Sequence, residues 1–277
     1  MRGSFSSGVL VALLEAGIHA PWVGGISAGT TCLANYVSRD AARAEKSFID
    51  FAGEPEFGDW RTWVRGKGMF NAEWIYEQTA LPHQVLPFDF ETFSANPAEV
   101  RIGGYRCSDG EMVYWGRDAV SELAGLMRRV LASSTMPRLM PLTRIDGVDY
   151  CDGALGPTGG FAHDAAKADG YDRFLVVLTR ERGYRKSPVK SPALLRGLFR
   201  RYPAIADGLL ARPANYNRSL DELLELEREG RAMLIFPDRM PIGNSERDLA
   251  KLRSVFDAAL AQTRRQLPQI REFLALS

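Results

Sequence analysis

The chain has 277 residues, is 45% hydrophobic and 25% charged, and carries a formal net charge of +1. This composition fits one large or two small folded domains and gives no global electrostatic reason to expect a nucleic-acid partner. No apolar run approaches the roughly 18 residues that span a bilayer. The three cysteines, Cys32, Cys107 and Cys151, form no CxxC pair, which fits reduced thiols in a cytoplasmic protein.

In chain order, the first expected element is a helix over about residues 6–16. It carries Phe5, Val9, Leu10, Leu13 and Leu14 on one face and ends at Gly17. Its apolar core VLVALL is too short for a signal peptide and stops at Glu15, so a folded helix is expected. APWVGG then reads as a short buried strand, GISAG as a turn and AGTTCLANYVS as a second helix, the grammar of an α/β protein. Residues 41–95 read as helical and irregular, with Phe48, Phe51, Trp60, Trp63, Phe70 and Trp74 as core aromatics.

Two extended runs between Val100 and Trp115 flank Asp109-Gly110, a hairpin signal, and a helix is expected from about Asp118 to Leu131. RIDGVDYCDGA predicts a second small hairpin that ends in another Asp-Gly turn. FLVVL (174–178) and AMLIF (232–236) have the continuous apolar character of parallel strands buried on both faces. Ser219 with Glu222, and Ser245 with Asp248, have the spacing of helix-start capping boxes.

The chemistry concentrates at GISAG. A serine on a tight strand-to-helix turn exposes its hydroxyl, small neighbours admit a substrate, and the helix start sets a positive dipole end under a developing anion. Ser27, between Gly25 and Gly29, is therefore a candidate nucleophile. The usual α/β-hydrolase order places this serine after several strands and is not met here. His19, His83 and His163 read as surface or structural residues, and GGISAGTT lacks the lysine of a phosphate loop. A carboxylate is left as the base, and Asp152 in DGA stands at the end of an expected strand. Taken alone, it reads first as a turn aspartate.

Together these residues resemble the patatin-like phospholipase family. MRG at 1–3 matches the end of its G-G-G-x-R-G loop, GISAG at 25–29 its G-x-S-x-G elbow, and DGA at 152–154 its D-G-G or D-G-A turn. ASSTMP (132–137) is similar to its A-S-S-x-x-P segment, and GYDRFLVVLTRERGYRK (170–186) to a bacterial branch. The resemblance implies a three-layer α/β/α fold with a mostly parallel central sheet. It also implies a catalytic core over 1–186, with residues 187–277 as a helical extension that adds one strand to the same domain. It implies a serine ester hydrolase acting on acyl lipids, with Ser27 as nucleophile and Asp152 as base. Backbone N–H groups of Met1, Arg2 and Gly3 would form the oxyanion hole, Gly25, Gly29 and Gly153 would be the motif glycines, and no metal or cofactor would be needed.

The sequence begins at the x of G-G-G-x-R-G, so the resemblance also implies a strand and three glycines upstream of Met1. Without them two ladders of the sheet would lack a partner and oxyanion donors would be fewer. The alternatives are a catalytically impaired lipid-binding or regulatory protein of the same fold, and an acyltransferase using the same acyl-enzyme. Arg180, Arg182, Arg185, Lys186 and Lys190, with Arg196, Arg200 and Arg201, form a basic stretch. It reads as a solvated face, or as a docking surface for the anionic inner face of a membrane.

Overall fold

The structure is a computed structural model that describes residues 1–54, 56, 58, 71 and 74–275. Trp60, Trp63 and Phe70 lie outside the described residues. Helix α1 (Gly3–Glu15) leads into β1 (Trp22–Ile26), α2 (Ala28–Val37) and α3 (Ala41–Phe48). Gly17 ends α1 in the left-handed region at φ 66°. Its N–H bonds Leu14 O at 3.0 Å, and that of Ile18 bonds Leu13 O at 2.9 Å. This paired closure satisfies carbonyls that a helix end leaves open. Instead of one apolar face, α1 buries nearly every residue from Gly3 to Leu13, because it packs between α3 and the last helix of the chain.

After α4 (Phe90–Ala95) come β2 (Glu99–Arg106), β3 (Met112–Trp115), α5 (Leu123–Ser134), β4 (Thr143–Ile145) and β5 (Val148–Asp152). The chain continues through α6 (His163–Ala168), β6 (Phe174–Val177), α7 (Pro192–Leu198), α8 (Pro203–Arg228), β7 (Ala232–Ile235) and α9 (Leu249–Phe273). Both expected hairpins form: Gly110 has φ 81°, and Asp146-Gly147 turn with φ 49° and 80°, the backbone that tight hairpins favour. The two capping boxes do not. Ser219 lies buried inside α8, which starts sixteen residues earlier at Pro203 and continues through Pro213, because Tyr216, Leu220, Leu223 and Leu226 pack its face into a hydrophobic cluster. Asp248 itself caps α9, accepting from the N–H groups of Ala250 and Lys251.

The fold is α/β: among the described residues β1 to β5 form a five-stranded sheet and β6 with β7 a two-stranded one, and the latter is covered on both faces. Along β6, Leu175 and Val177 enter the larger core with α1, α2 and α9, whereas Phe174 and Val176 join Tyr216, Leu220 and Leu223 of α8. Alternation of this kind means both faces are covered. The pairings are mixed where a mostly parallel sheet is expected. β1–β2 and β6–β7 are parallel, but β2–β3, β2–β5 and β4–β5 are antiparallel. The reason is local, since β2–β3 and β4–β5 are joined by turns too short for a parallel crossover. Among the described strands, β1 pairs only with β2 and β6 only with β7. Consecutive residues of both strands line one cavity of about 790 Å³. No helix among the described residues is long and apolar enough to cross a membrane.

Candidate active site

The register of β2 brings two distant segments together. β1 runs parallel to β2 and ends with Ile26 opposite Gly103, while β5 runs antiparallel and ends with Asp152 opposite Gly104. Because β3 covers residues 102–105 on the other edge of β2, β1 and β5 must share one edge and meet there end to end. Ser27 leaves the end of β1 and Asp152 closes β5, so their side chains converge. Ser27 Oγ donates to Asp152 Oδ2 at 3.0 Å.

The turn that carries Ser27 is held from several sides. Ser27 has φ 56° and ψ −125°, a conformation side chains avoid, and α2 starts at the next residue. Its N–H donates to Ser133 Oγ at 2.9 Å, and Ser133 Oγ–H donates onward to Gly103 O. The fully buried Ser133 thus ties the turn to the point where β1 and β5 meet. Thr30 Oγ1 donates to Ser27 O at 2.6 Å, fixing the first turn of α2. Strain in such a region costs on the order of 1–3 kcal/mol. Ser27→Gly should therefore unfold at higher urea than Ser27→Ala by about 1 kcal/mol, since both lose the hydroxyl and only glycine relieves the backbone. Equal midpoints would mean the turn stores no strain.

Asp152 is buried, at 5% exposure. Oδ1 accepts the N–H of Ala154 at 2.9 Å, leaving Oδ2 for Ser27. Burial pushes its carboxyl above the usual range, opposed by the charges of Arg212 and Lys186 and by the hydrogen bonds from Ala154 and Ser27. A carboxylate raised in this way is a better proton acceptor than a free aspartate.

The motif glycines divide by duty. A Cβ on Gly25 would sit 2.3 Å from Gly29 O, and one on Gly153 would sit 2.5 Å from Gly103 O. A Cβ on Gly29 would meet nothing within 4 Å, and Gly29 lines the same cavity as Ser27 and Asp152. Met1, Arg2 and Gly3 line that cavity too. The Met1 ammonium donates to Asn244 O at 2.6 Å, while Arg2 and Gly3 open α1, where backbone N–H groups have no partner within the helix. None of the three histidines is hydrogen-bonded to the Ser27–Asp152 pair: His19 and His83 are exposed, and His163 Nε2 lies 3.0 Å from Glu222 Oε2. No cluster of three metal-ligating side chains exists among the described residues.

The basic stretch splits in two. Arg182 pairs with Glu227 and Arg185 with Asp221, whereas Arg180 and Lys186 line the cavity, joined by Arg212 from α8. Arg212 and Ser133 are the site residues that sequence reasoning missed. The first lies in an unremarkable helical run, and the second is marked only by the ASSTMP segment.

Two family models match the chain. A family model described as patatin-like phospholipase matches residues 1–162, and one described as a domain of unknown function (DUF6363) matches residues 202–275. No curated protein matches the chain. Family membership of this kind carries an expectation of lipid acyl hydrolysis, with lipid esters as substrates. Since the first match takes in more than half of the sequence and both segments that meet on β2, the chain belongs to the patatin-like phospholipase family.

Proposed function

We propose that this chain is a serine ester hydrolase acting on acyl lipids through a Ser27–Asp152 dyad. The observation that carries the reading is the 3.0 Å hydrogen bond from Ser27 Oγ to Asp152 Oδ2 on a strained strand-to-helix turn. In the reaction, Asp152 Oδ2 takes the hydroxyl proton as Ser27 Oγ adds to the ester carbonyl. The tetrahedral oxyanion collapses, the C–O bond to the alcohol breaks, and the alcohol leaves with the proton from Asp152. Water then repeats the cycle on the acyl-enzyme, giving its proton to Asp152 and releasing a carboxylic acid and a reprotonated Ser27. N–H groups at the starts of α1 and α2 supply the positive field for the oxyanion, with those of Met1, Arg2 and Gly3 as its donors. The dyad requires no metal or cofactor.

The reading takes residues 1–186 as the catalytic core and 187–277 as an extension of the same domain. Support for the second part comes from Arg212, whose charge reaches Asp152 from within that extension. The protein is placed in the cytoplasm, in peripheral contact with anionic lipid. Helix α7 exposes Leu194 and Leu198 beside the exposed Arg196 and Arg200, a pattern suited to resting on such a surface.

A fluorophosphonate probe tests the core of the proposal. It should form one adduct, found on the peptide containing Ser27, and prior incubation with a slow ester substrate should suppress it. Labelling that persists in Ser27→Ala would place the nucleophile elsewhere.

A further inference from the structure

The loop that follows Asp152 is held from outside by one turn of α8. Gly153–Leu155 form a single 3₁₀ turn, after which Gly156 N–H donates to Gly153 O at 3.0 Å. Gly159 N–H then donates to Gly156 O, also at 3.0 Å. Ala154 N–H sits inside this stretch and donates to Asp152 Oδ1 at 2.9 Å. The orientation of the carboxylate therefore depends on where residues 153–160 lie.

Asn215, Tyr216 and Arg218 grip that loop. Asn215 Nδ2 donates to Gly156 O at 3.2 Å, and Arg218 Nη2 donates to Pro157 O at 2.8 Å. Arg218 Nη2 also donates to Asn215 Oδ1 at 3.0 Å, which turns the amide so that its N–H faces Gly156. Gly159, in the left-handed region at φ 66°, passes so close to the helix that a Cβ there would lie 2.4 Å from Tyr216 N. The Tyr216 ring stacks on Phe161, 5.1 Å between centroids, at the far end of the loop. Nearer Asp152, Leu155 joins Ile205 and Ala206 of the same helix in one buried cluster. A segment with Gly156, Gly159 and Gly160 has little stiffness of its own, so these contacts supply it. The same turn of α8 holds a second wall of the site. Lys186 N–H donates to Asn217 Oδ1 at 2.9 Å, and Asn217 Nδ2 donates back to Lys186 O at 3.0 Å.

We propose that Asn215, Tyr216 and Arg218 are positioning residues for the Asp152 base: by clamping Gly156, Pro157 and Gly159 they keep Ala154 N–H on Oδ1 and so aim Oδ2 at Ser27. The inference rests on the Ser27–Asp152 reading for its effect on catalysis, and on the hydrogen bonds alone for its effect on the carboxyl. All three residues act through the loop. The C-terminal extension thereby takes part in the reaction by holding the base of the catalytic core in place.

Asn215→Ala tests this, because asparagine carries no charge. The titratable groups that Asp152 faces, Arg212, Lys186, Tyr76 and Cys151, are left unaltered. Without the clamp Ala154 N–H should leave Oδ1, and that bond helps to hold the carboxyl down. For a short p-nitrophenyl ester kcat should fall on the order of tenfold with KM within about twofold of wild type. The limb of kcat/KM should move to higher pH. In the Asp152→Asn background the same substitution should cause no further loss, since the group it positions is gone. A carbon-13 titration of the Asp152 carboxyl, assigned by its absence in Asp152→Asn, should show the same upward move without any turnover. An unmoved carboxyl, or an equal loss of kcat with and without Asp152, overturns the proposal and leaves α8 as structural support only. Should Asn215→Ala not fold, Arg218→Ala at an exposed residue takes its place. Its shift should survive high salt, which screens the loss of a surface charge, and a shift abolished by salt overturns the proposal equally. If the carboxyl moves but the wild type cleaves no ester and no probe labels Ser27, the hydrolase reading fails while the clamp stands.

Discussion

Asp152→Asn is expected to lower kcat/KM for a short p-nitrophenyl ester by about a thousandfold, and Ser27→Ala should leave only background hydrolysis. Asparagine at 152 can still accept the Ala154 N–H that Oδ1 now takes, so the turn should keep its shape. It cannot accept and return the Ser27 proton at the position of Oδ2. The pH profile adds a second readout. Burial holds the Asp152 carboxyl above its ordinary 3.8, so kcat/KM should rise with pH along a limb centred above that value. Arg212 pulls the same carboxyl down, and its removal in Arg212→Gln should carry the limb to higher pH. Stability should change in the opposite sense. A carboxyl whose pKa is raised by folding contributes most when protonated, so its contribution falls as pH climbs from 3.8 through the folded value. Asp152→Asn should remove that slope. An Asp152→Asn enzyme within tenfold of wild type, or a limb at the ordinary carboxylate value, would take Asp152 out of the base role.

What the sequence makes legible in this molecule is what short-range chemistry dictates. Gly17 stops α1 because a left-handed residue is needed there. Asp109-Gly110 and Asp146-Gly147 close hairpins because their positive φ values suit those residues. Ser27 between two glycines announces a strained turn, and a strand before it with a helix after it fixes where the hydroxyl stands. The Ser27–Asp152 contact is another matter, because 125 residues separate the pair. It depends on β1 and β5 ending opposite Gly103 and Gly104, a register that no local pattern in β2 reveals. The resemblance to a family points to the pair, while the register explains why it forms. Arg212 acts only across such tertiary distances, and nothing near it in the chain gives it away; Ser133 is marked by the ASSTMP segment, but its bond to Ser27 is not. Ser219 shows the reverse error: S-x-x-E is a helix start only when the helix does not already exist, and α8 runs straight through it.

Gly25→Ala should be the most damaging single methyl in the site, costing about 3 kcal/mol of stability. The new Cβ would lie 2.3 Å from Gly29 O, 2.5 Å from Gly29 C and 2.8 Å from Thr30 N, all backbone atoms of the first turn of α2. Neither side can yield cheaply. β1 is held in register on β2 through Gly25 opposite Ile102, and α2 is anchored by Leu33 and Val37, each 1% exposed. Relief therefore requires the helix to back away from the strand, which would stretch the bonds from Thr30 to Ser27 O and from Ser27 N–H to Ser133. Gly29→Ala offers the matched control. Its Cβ enters open space, so stability should stay within about 0.5 kcal/mol of wild type, while kcat/KM falls because the methyl projects into the cavity beside Ser27. Urea denaturation and ester kinetics on the two variants separate the roles. If Gly25→Ala proved as stable as Gly29→Ala, close strand-to-helix packing would not be what holds Ser27 in its strained conformation. If it unfolds early as expected, the two glycines of one motif serve different ends: Gly25 lets the backbone close under the serine, and Gly29 keeps the way to it clear.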